Sequence, residues 1–294
     1  MDWAAYADSW PNAEHSRFVQ ARPHRWHVQA MGPEGAPVVL LLHGAGGATH
    51  SWRDLAPRLA RRWRVVAPDL PGHGFTRLGA LQRSGLDLVA ADLGHLLDKR
   101  GERPAAIVGH SAGGALALRM AQLSEHPPEA IVGLNAALDN FDGAAGILFP
   151  MMAKALALNP FVAPTMARLA QPGTVQRLIE GTGSRLDASG LALYRACVSD
   201  PAHVDGALTM MSQWRLERLR AGLPSTDVPT LLLAGEDDRA VSSETAGRAV
   251  RRLPNAEAVT LPGLGHLAHE EAPDEVAGRI DAFLTDHLGD VIAT

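Results

Sequence analysis

Short apolar runs alternate with longer amphipathic segments along most of the chain. The continuous run 37–42 (Pro-Val-Val-Leu-Leu-Leu) is typical of a parallel strand covered on both faces, and helical periodicity follows it. This alternation predicts an α/β fold with a doubly wound, mostly parallel sheet of about eight strands. The strands predicted for the centre and far edge are 37–42, 64–68, 104–108, 128–135, 228–234 and 256–261, and the helices are 52–61, 86–100, 115–123, 243–253 and 273–288.

Two stretches depart from this pattern. Segments 16–21 and 25–31 alternate apolar and polar residues, which predicts a hairpin at the sheet edge. Between 136 and 224 the chain shows only helical or irregular pieces, broken by prolines and rich in methionine and aromatic residues. We therefore predict an α/β core formed by 1–135 and 225–294, with 136–224 inserted as a helical cap.

Composition narrows the class of protein. The 294 residues are 46% hydrophobic and 20% charged, which is typical of a soluble globular protein with a large core. A net charge of -5 with dispersed arginines argues against nucleic-acid binding. The single cysteine, Cys197, excludes an intramolecular disulfide or a thiolate metal cage, and we predict neither a metal nor a cofactor.

The first residues of the chain and the lengths of its apolar runs predict where in the cell the protein resides. The chain starts Met1-Asp2-Trp3 without a basic and apolar leader, and no apolar run approaches the roughly 18 residues of a membrane span. These features predict a cytoplasmic protein without a transmembrane segment, and they leave peripheral membrane contact through an apolar cap open.

The stretch Gly109-His110-Ser111-Ala112-Gly113 has the form G-x-S-x-G between a predicted strand and a predicted helix. A serine at the tip of so sharp a turn needs small residues two positions away on both sides, because strand and helix nearly touch there. Since a motif alone is only a hypothesis, the candidate nucleophile Ser111 requires a base and an acid elsewhere in the chain.

Carboxylates follow the predicted strand that ends at 234, on the ligand side of a parallel sheet. We predict Asp238 as the acid, with Glu236 and Asp237 as rivals. The base is expected in the loop after the last strand, where Leu264-Gly265-His266 places His266 among small residues. His269 is the less favoured candidate, because it can cap the last helix or pair with a neighbouring glutamate.

A developing oxyanion needs backbone N–H donors beside the serine. The amide after the nucleophile, that of Ala112, is one candidate, and that of Ala45 in His43-Gly44-Ala45-Gly46 is the other. A phosphate-cradling loop is the alternative, but neither G-x-G-x-x-G nor G-K-[ST] is present. The candidate substrate contacts are His43, His110, Met152 and Trp214, although packing or orienting roles are favoured for His110 and His73.

These motifs, H-G-A-G-G, D-L-P-G-H-G, G-H-S-A-G, G-E-D-D-R-A-V and G-L-G-H, stand in the order of the α/β-hydrolase superfamily, which the chain resembles from about residue 15 to its end. More narrowly, it resembles the magnesium-chelatase accessory proteins of bacteriochlorophyll biosynthesis. That likeness rests on stretches outside the catalytic motifs, namely 16–19, 25–29, 49–55, 74–76, 133–137, 157–160 and 179–187.

The resemblance implies a role beside magnesium insertion into protoporphyrin in photosynthetic bacteria, with magnesium-chelatase subunits as partners. Two classes of function stay open. One is a serine hydrolase acting on an ester of a bulky apolar molecule, with a general carboxylesterase or a carbon–carbon bond hydrolase as variants. The other is a porphyrin-binding protein that keeps the fold without turnover, because a fold does not fix its function. An aspartate at the elbow, as in haloalkane dehalogenases and epoxide hydrolases, is excluded by Ser111.

Overall fold

The fold is built on one eight-stranded sheet. The computed structural model describes residues 1–80, 82–139, 159 and 161–289. The strand order is β1-β2-β4-β3-β5-β6-β7-β8; β1 pairs antiparallel with β2, β2 antiparallel with β4, and the remaining pairs are parallel. The predicted mostly parallel sheet is confirmed. The strands are β1 Ser16–Ala21, β2 His24–Met31, β3 Val38–Leu42, β4 Arg64–Pro68, β5 Pro104–His110, β6 Ala130–Leu134, β7 Thr230–Gly235 and β8 Ala256–Leu261.

Helices cover both faces of this sheet. Neighbouring strand residues point to opposite sides, so that Leu40 and Leu42 join one buried cluster while Val39 and Leu41 join the other. The first cluster includes side chains of α2 Leu86–Arg100, α3 Ala112–Leu123 and α9 Glu244–Val250. The second includes those of α1 Leu55–Leu59, α10 Ala268–Glu271 and α11 Pro273–Leu288.

One predicted helix is shorter than expected. The periodicity over 52–61 predicted a single helix, whereas the chain forms a 3₁₀ turn over Thr49–Trp52 and then α1 from Leu55. Pro57 explains the break, because it has no N–H to donate to the carbonyl of Arg53 and is tolerated only in the first turn of a helix.

Between β6 and β7 the described residues form helices, which we call the cap helices. They are α4 Val162–Arg168, α5 Pro172–Gly181, α6 Ala188–Val198, α7 Pro201–Gln213 and α8 Glu217–Gly222. Val175 and Ile179 of α5 pack with Tyr194 of α6 and Leu267 of the core. The predicted domain limits at 136 and 224 stay a prediction. Within the part of the chain that the structure describes, each helix is too short or too polar to cross a bilayer.

Candidate active site

Ser111 occupies the turn between β5 and α3 with a left-handed backbone, φ 53° and ψ -116°. Such a conformation is costly for a side chain other than glycine, and it persists here because neighbouring elements fix the turn. The Ser111 N–H donates to the Leu134 carbonyl at 2.9 Å, and the Ser111 carbonyl accepts from Ala137 N–H at 3.0 Å. A Cβ on Gly109 would overlap the backbone of Gly113, as the G-x-S-x-G spacing predicts.

His266 and Asp238 form a hydrogen-bonded pair at the carboxyl edge of the sheet. His266 Nδ1–H donates to Asp238 Oδ2 at 2.8 Å, and the Asp238 side chain is fully buried. The other carboxylate oxygen, Oδ1, accepts from the N–H groups of Ala240 and Val241, each at 2.8 Å. This arrangement leaves His266 Nε2 as the acceptor of the ring. The rivals Glu236 and Asp237 are exposed, so Asp238 is the carboxylate that the fold brings to the histidine.

Asn135 also contacts this pair, although sequence reasoning gave it no role. Its Nδ2–H donates to Asp238 Oδ2 at 2.7 Å, so one oxygen serves both Asn135 and His266. Its backbone is left-handed, φ 48°, a region that asparagine tolerates better than most residues. The available signal was its place directly after β6, at the same edge of the sheet as Ser111.

The predicted oxyanion donors lie at the start of α3 and in the loop after β3. Ala112 is the first residue of α3, so its N–H has no acceptor within the helix. Ala45 is exposed in the loop after β3. In that loop, a Cβ on Gly44 would approach within 3.0 Å of both Ser111 Cβ and His110 Nδ1, which shows how closely the backbone passes Ser111.

The His43 side chain forms hydrogen bonds with backbone groups at the loop after β3. Leu70 N–H donates to His43 Nε2 at 2.9 Å, and His43 Nδ1–H donates to the Gly44 carbonyl at 2.8 Å. Burial lowers the pKa of His43, which keeps the ring neutral. Both ring nitrogens of His43 are therefore hydrogen-bonded to backbone groups, and its predicted contact with substrate stays a prediction.

His110 supports the base loop. Its Nε2–H donates to the His266 carbonyl at 2.9 Å, and its ring centroid lies 4.5 Å from that of His269. Burial lowers the pKa of His110 well below its usual range and that of His269 to about 3. His269 Nε2 lies 2.8 Å from Ser51 Oγ, away from the Asp238 carboxylate.

Of the remaining residues named as candidate contacts or supports, the structure describes Trp214 and His73. Trp214, directly after α7, is half-buried and packs against the main core cluster, and its buried Nε1 has no hydrogen-bond partner among the residues that the structure describes. Met152 lies outside the described residues. His73 donates from Nδ1 to the Pro71 carbonyl at 3.2 Å, an orienting role like the one expected for it. In the described ranges, no three His, Cys, Asp or Glu side chains converge as metal ligands would.

A second Ser-His-Asp chain lies apart from the elbow. Ser16 Oγ is 2.9 Å from His27 Nε2, and His27 Nδ1–H donates to Asp69 Oδ2 at 2.8 Å; all three residues are buried. Burial by itself would raise the pKa of Asp69, but His27 and the Phe75 N–H hold it below its usual range. Sequence spacing gave no hint of this group.

Glu270 joins the core to the cap helices. Its Oε1 accepts from Tyr194 OH on α6 at 2.7 Å and from Ser51 Oγ at 3.0 Å, while Oε2 accepts from Arg53. Burial raises the pKa of Glu270 to about 7, against the opposing effect of Arg53. A titratable carboxyl therefore lies at the contact between cap and core.

Comparison with known proteins agrees with this geometry. A family model described as alpha/beta hydrolase fold matches residues 37–273. The magnesium-chelatase 30 kDa subunit of Rhodobacter capsulatus is 45% identical over 281 residues, which cover 95% of this chain and 98% of that protein. Protein phosphatase methylesterase 1 of Bos taurus is 27% identical, over 98% of this chain and 86% of that one. A solved alpha/beta hydrolase fold protein from Burkholderia ambifaria superposes with a TM-score of 0.73 at 26% identity, covering 90% and 99% of the two chains. Both resemblances predicted from the sequence are confirmed.

Proposed function

Because the chain belongs to the α/β-hydrolase fold family, we propose that it is a serine hydrolase with Ser111 as nucleophile, His266 as base and Asp238 as acid. The observation that carries the proposal is the strained elbow serine on the same sheet edge as a buried, hydrogen-bonded His-Asp pair. A structural serine gains nothing from a left-handed backbone, which costs about 1–3 kcal/mol.

In this mechanism Ser111 Oγ attacks the carbonyl carbon of an ester while its proton passes to His266 Nε2. Asp238 stabilises the imidazolium that forms, and the N–H groups of Ala112 and Ala45 bind the oxyanion. Collapse of the tetrahedral intermediate expels the alcohol, which takes the proton from His266. Water then attacks the acyl-enzyme with the same base and releases the acid and free Ser111.

The biological setting follows from the relative named as a magnesium-chelatase subunit, which matches nearly its whole length. The proposal therefore includes an accessory role beside a magnesium chelatase in bacteriochlorophyll synthesis, in the cytoplasm and in contact with chelatase subunits. Its ligand would be a bulky apolar ester or a porphyrin. The proposed contacts are Met152, an apolar residue, and the half-buried Trp214, whose indole Nε1 lacks a hydrogen-bond partner within the described part of the chain, since ligand pockets are mostly apolar with few polar groups.

Labelling with a fluorophosphonate tests the proposal that the protein is a serine hydrolase. We expect one adduct, mapped to Ser111, that is lost in Ser111→Ala and His266→Ala and retained in Asp237→Asn. A folded wild-type protein that takes up no label at Ser111 would refute the serine-hydrolase proposal.

The second candidate is a porphyrin-binding protein that does not need turnover, and the same chelatase relative favours it. Titration of protoporphyrin or its magnesium form, followed by absorbance and tryptophan quenching, separates the two candidates. A porphyrin-binding protein should show saturable binding. Ser111→Ala should change the porphyrin affinity by less than a few-fold, and Trp214→Phe or Met152→Ala should change it more. Rapid turnover of small acyl esters without saturable porphyrin binding would instead favour a general carboxylesterase.

A further inference from the structure

The cap segment between α5 and α6, residues 182–187, contacts both loops that carry the acid and the base. The Thr182 carbonyl accepts from Arg239 N–H at 3.0 Å, directly after Asp238. The Ser184 hydroxyl accepts from Leu267 N–H at 2.7 Å, directly after His266. Its T-G-S-R-L-D sequence belongs to the stretch 179–187 that carries part of the family likeness, and the proposed chemistry assigns this segment no part.

The residue before His266 is held by the same segment through a bridging carboxylate. Glu271 Oε1 accepts from Gly265 N–H at 3.0 Å, and Glu271 Oε2 accepts from Arg185 N–H at 3.1 Å. His266 is thus bracketed on both sides by backbone amides whose acceptors belong to, or are shared with, residues 184–185.

The packing at this junction leaves no free space. A Cβ on Gly235, at the end of β7, would overlap the carbonyl of Gly265, and a Cβ on Gly265 would overlap the backbone of Gly183. Gly183 has φ +89°, and a Cβ there would overlap the carbonyl of Asp237. Three glycines from the acid loop, the base loop and the cap therefore meet with backbone against backbone, so a shift of one loop is transmitted to the others.

We propose that Ser184 is a positioning residue for His266, and that the docked segment 182–187 aligns His266 with Asp238. This inference rests on the proposed function above, since it assigns a task to the same site. Ser184 is fully buried, and its hydroxyl accepts from the N–H of Leu267, which is itself a buried residue, so loss of the acceptor leaves a buried donor unsatisfied. Because a displacement of about 1 Å in a reacting group costs about 10²-fold in rate, a small relaxation of the Leu267 backbone would be visible in turnover.

The test is Ser184→Ala, with Ser189→Ala as the matched control. Ser189 lies five residues further along the same cap and is exposed, and its hydroxyl donates to Asp187 Oδ2 at 2.8 Å. We expect Ser184→Ala to lower the maximal rate of fluorophosphonate inactivation per folded molecule at least 10-fold and to displace the pH profile of that rate. Ser189→Ala should match wild type in both. An equal rate and pH profile in Ser184→Ala and Ser189→Ala would overturn the inference.

Glu271→Ala provides a second variant if Ser184→Ala does not fold, because it removes the acceptors of Gly265 and Arg185 while leaving Ser184 intact. The same loss of rate is expected, and a rate equal to wild type would count against positioning by this segment.

One readout does not depend on turnover. The downfield proton resonance of the His266 Nδ1–H, assigned by its loss in Asp238→Asn, should shift and exchange faster with solvent in Ser184→Ala. If wild-type Ser111 is never labelled, the serine-hydrolase proposal falls while this resonance still decides the positioning role. An unchanged resonance in Ser184→Ala would overturn that role even in an active enzyme.

Discussion

Replacing Asp238 with Asn should abolish most of the reactivity of Ser111, and the structure shows why. Asp238 Oδ1 accepts from two backbone N–H groups, those of Ala240 and Val241, so the carbonyl oxygen of an asparagine is held at that position. The amide nitrogen must then occupy the place of Oδ2, where it faces His266 Nδ1. Two donors would oppose each other, and His266 would move its proton to Nε2 and lose the ability to accept one from Ser111.

The expected loss follows from this tautomer change. Removal of the acid from a Ser-His-Asp triad with the geometry kept costs about 10⁴-fold in rate, or about 5 kcal/mol of transition-state stabilisation. We expect the second-order rate constant for fluorophosphonate labelling of Ser111 to fall by about that factor in Asp238→Asn. The neighbouring Asp237 is exposed, and Asp237→Asn should stay within about twofold of wild type.

The measurement is the labelling rate at neutral pH, with circular dichroism to establish that each variant is folded. A rate in Asp238→Asn within tenfold of wild type would refute the assignment of the acid. A large loss of labelling rate in Asp237→Asn instead would show that Asp237, and not Asp238, is the acid.

Two further perturbations probe the surroundings of this pair. Asn135→Asp keeps a residue type that tolerates the left-handed backbone and places a second carboxylate at hydrogen-bond distance from Asp238. One of the two carboxylates must then hold a proton, so the pH profile of Ser111 labelling should shift. An unchanged profile would show that Asn135 has no part in the site. Glu270 has a folded pKa of about 7 against 4.5 for the free side chain, so its contribution to stability is full below about pH 4.5 and is lost as pH rises through 7. At about 1.4 kcal/mol per pH unit, urea unfolding should show wild type losing about 3 kcal/mol relative to Glu270→Gln between pH 4.5 and 8, and parallel curves would contradict this.

The sheet was predictable because strand burial leaves a local signature. Strands β4 and β8 have the predicted bounds, since each apolar or alternating run is flanked by residues that end it. The acid and base followed from the same logic: Asp238 and His266 come after β7 and β8, and parallel strands deliver their carboxyl ends to one edge.

The partners of these residues could not be predicted in this way. Asn135 meets Asp238 across 103 residues of sequence, and Ser184 meets Leu267 across 83. Both contacts depend on where backbone loops come together, and no periodicity encodes that. The bounds of the individual cap helices were not predicted, although Pro172 and Pro201 each stand at the first position of a helix, where proline is tolerated.

The two Ser-His-Asp groups show that hydrogen-bond geometry alone does not make a nucleophile. Ser16 is bonded to His27 at 2.9 Å, and His27 to Asp69 at 2.8 Å, distances that suit a triad. Yet Ser16 begins an edge strand with an ordinary backbone and accepts from Gln29 as well. Ser111 instead sits in a strained turn at the start of a helix, beside the N–H groups that we propose bind the oxyanion. We therefore expect Ser16→Ala to leave the labelling rate of Ser111 within about twofold while lowering the unfolding free energy by about 1–3 kcal/mol, because His27 keeps a buried nitrogen without a partner. A fluorophosphonate adduct on Ser16 in the Ser111→Ala protein would contradict this argument, since it would show that relay geometry suffices without strain or oxyanion donors.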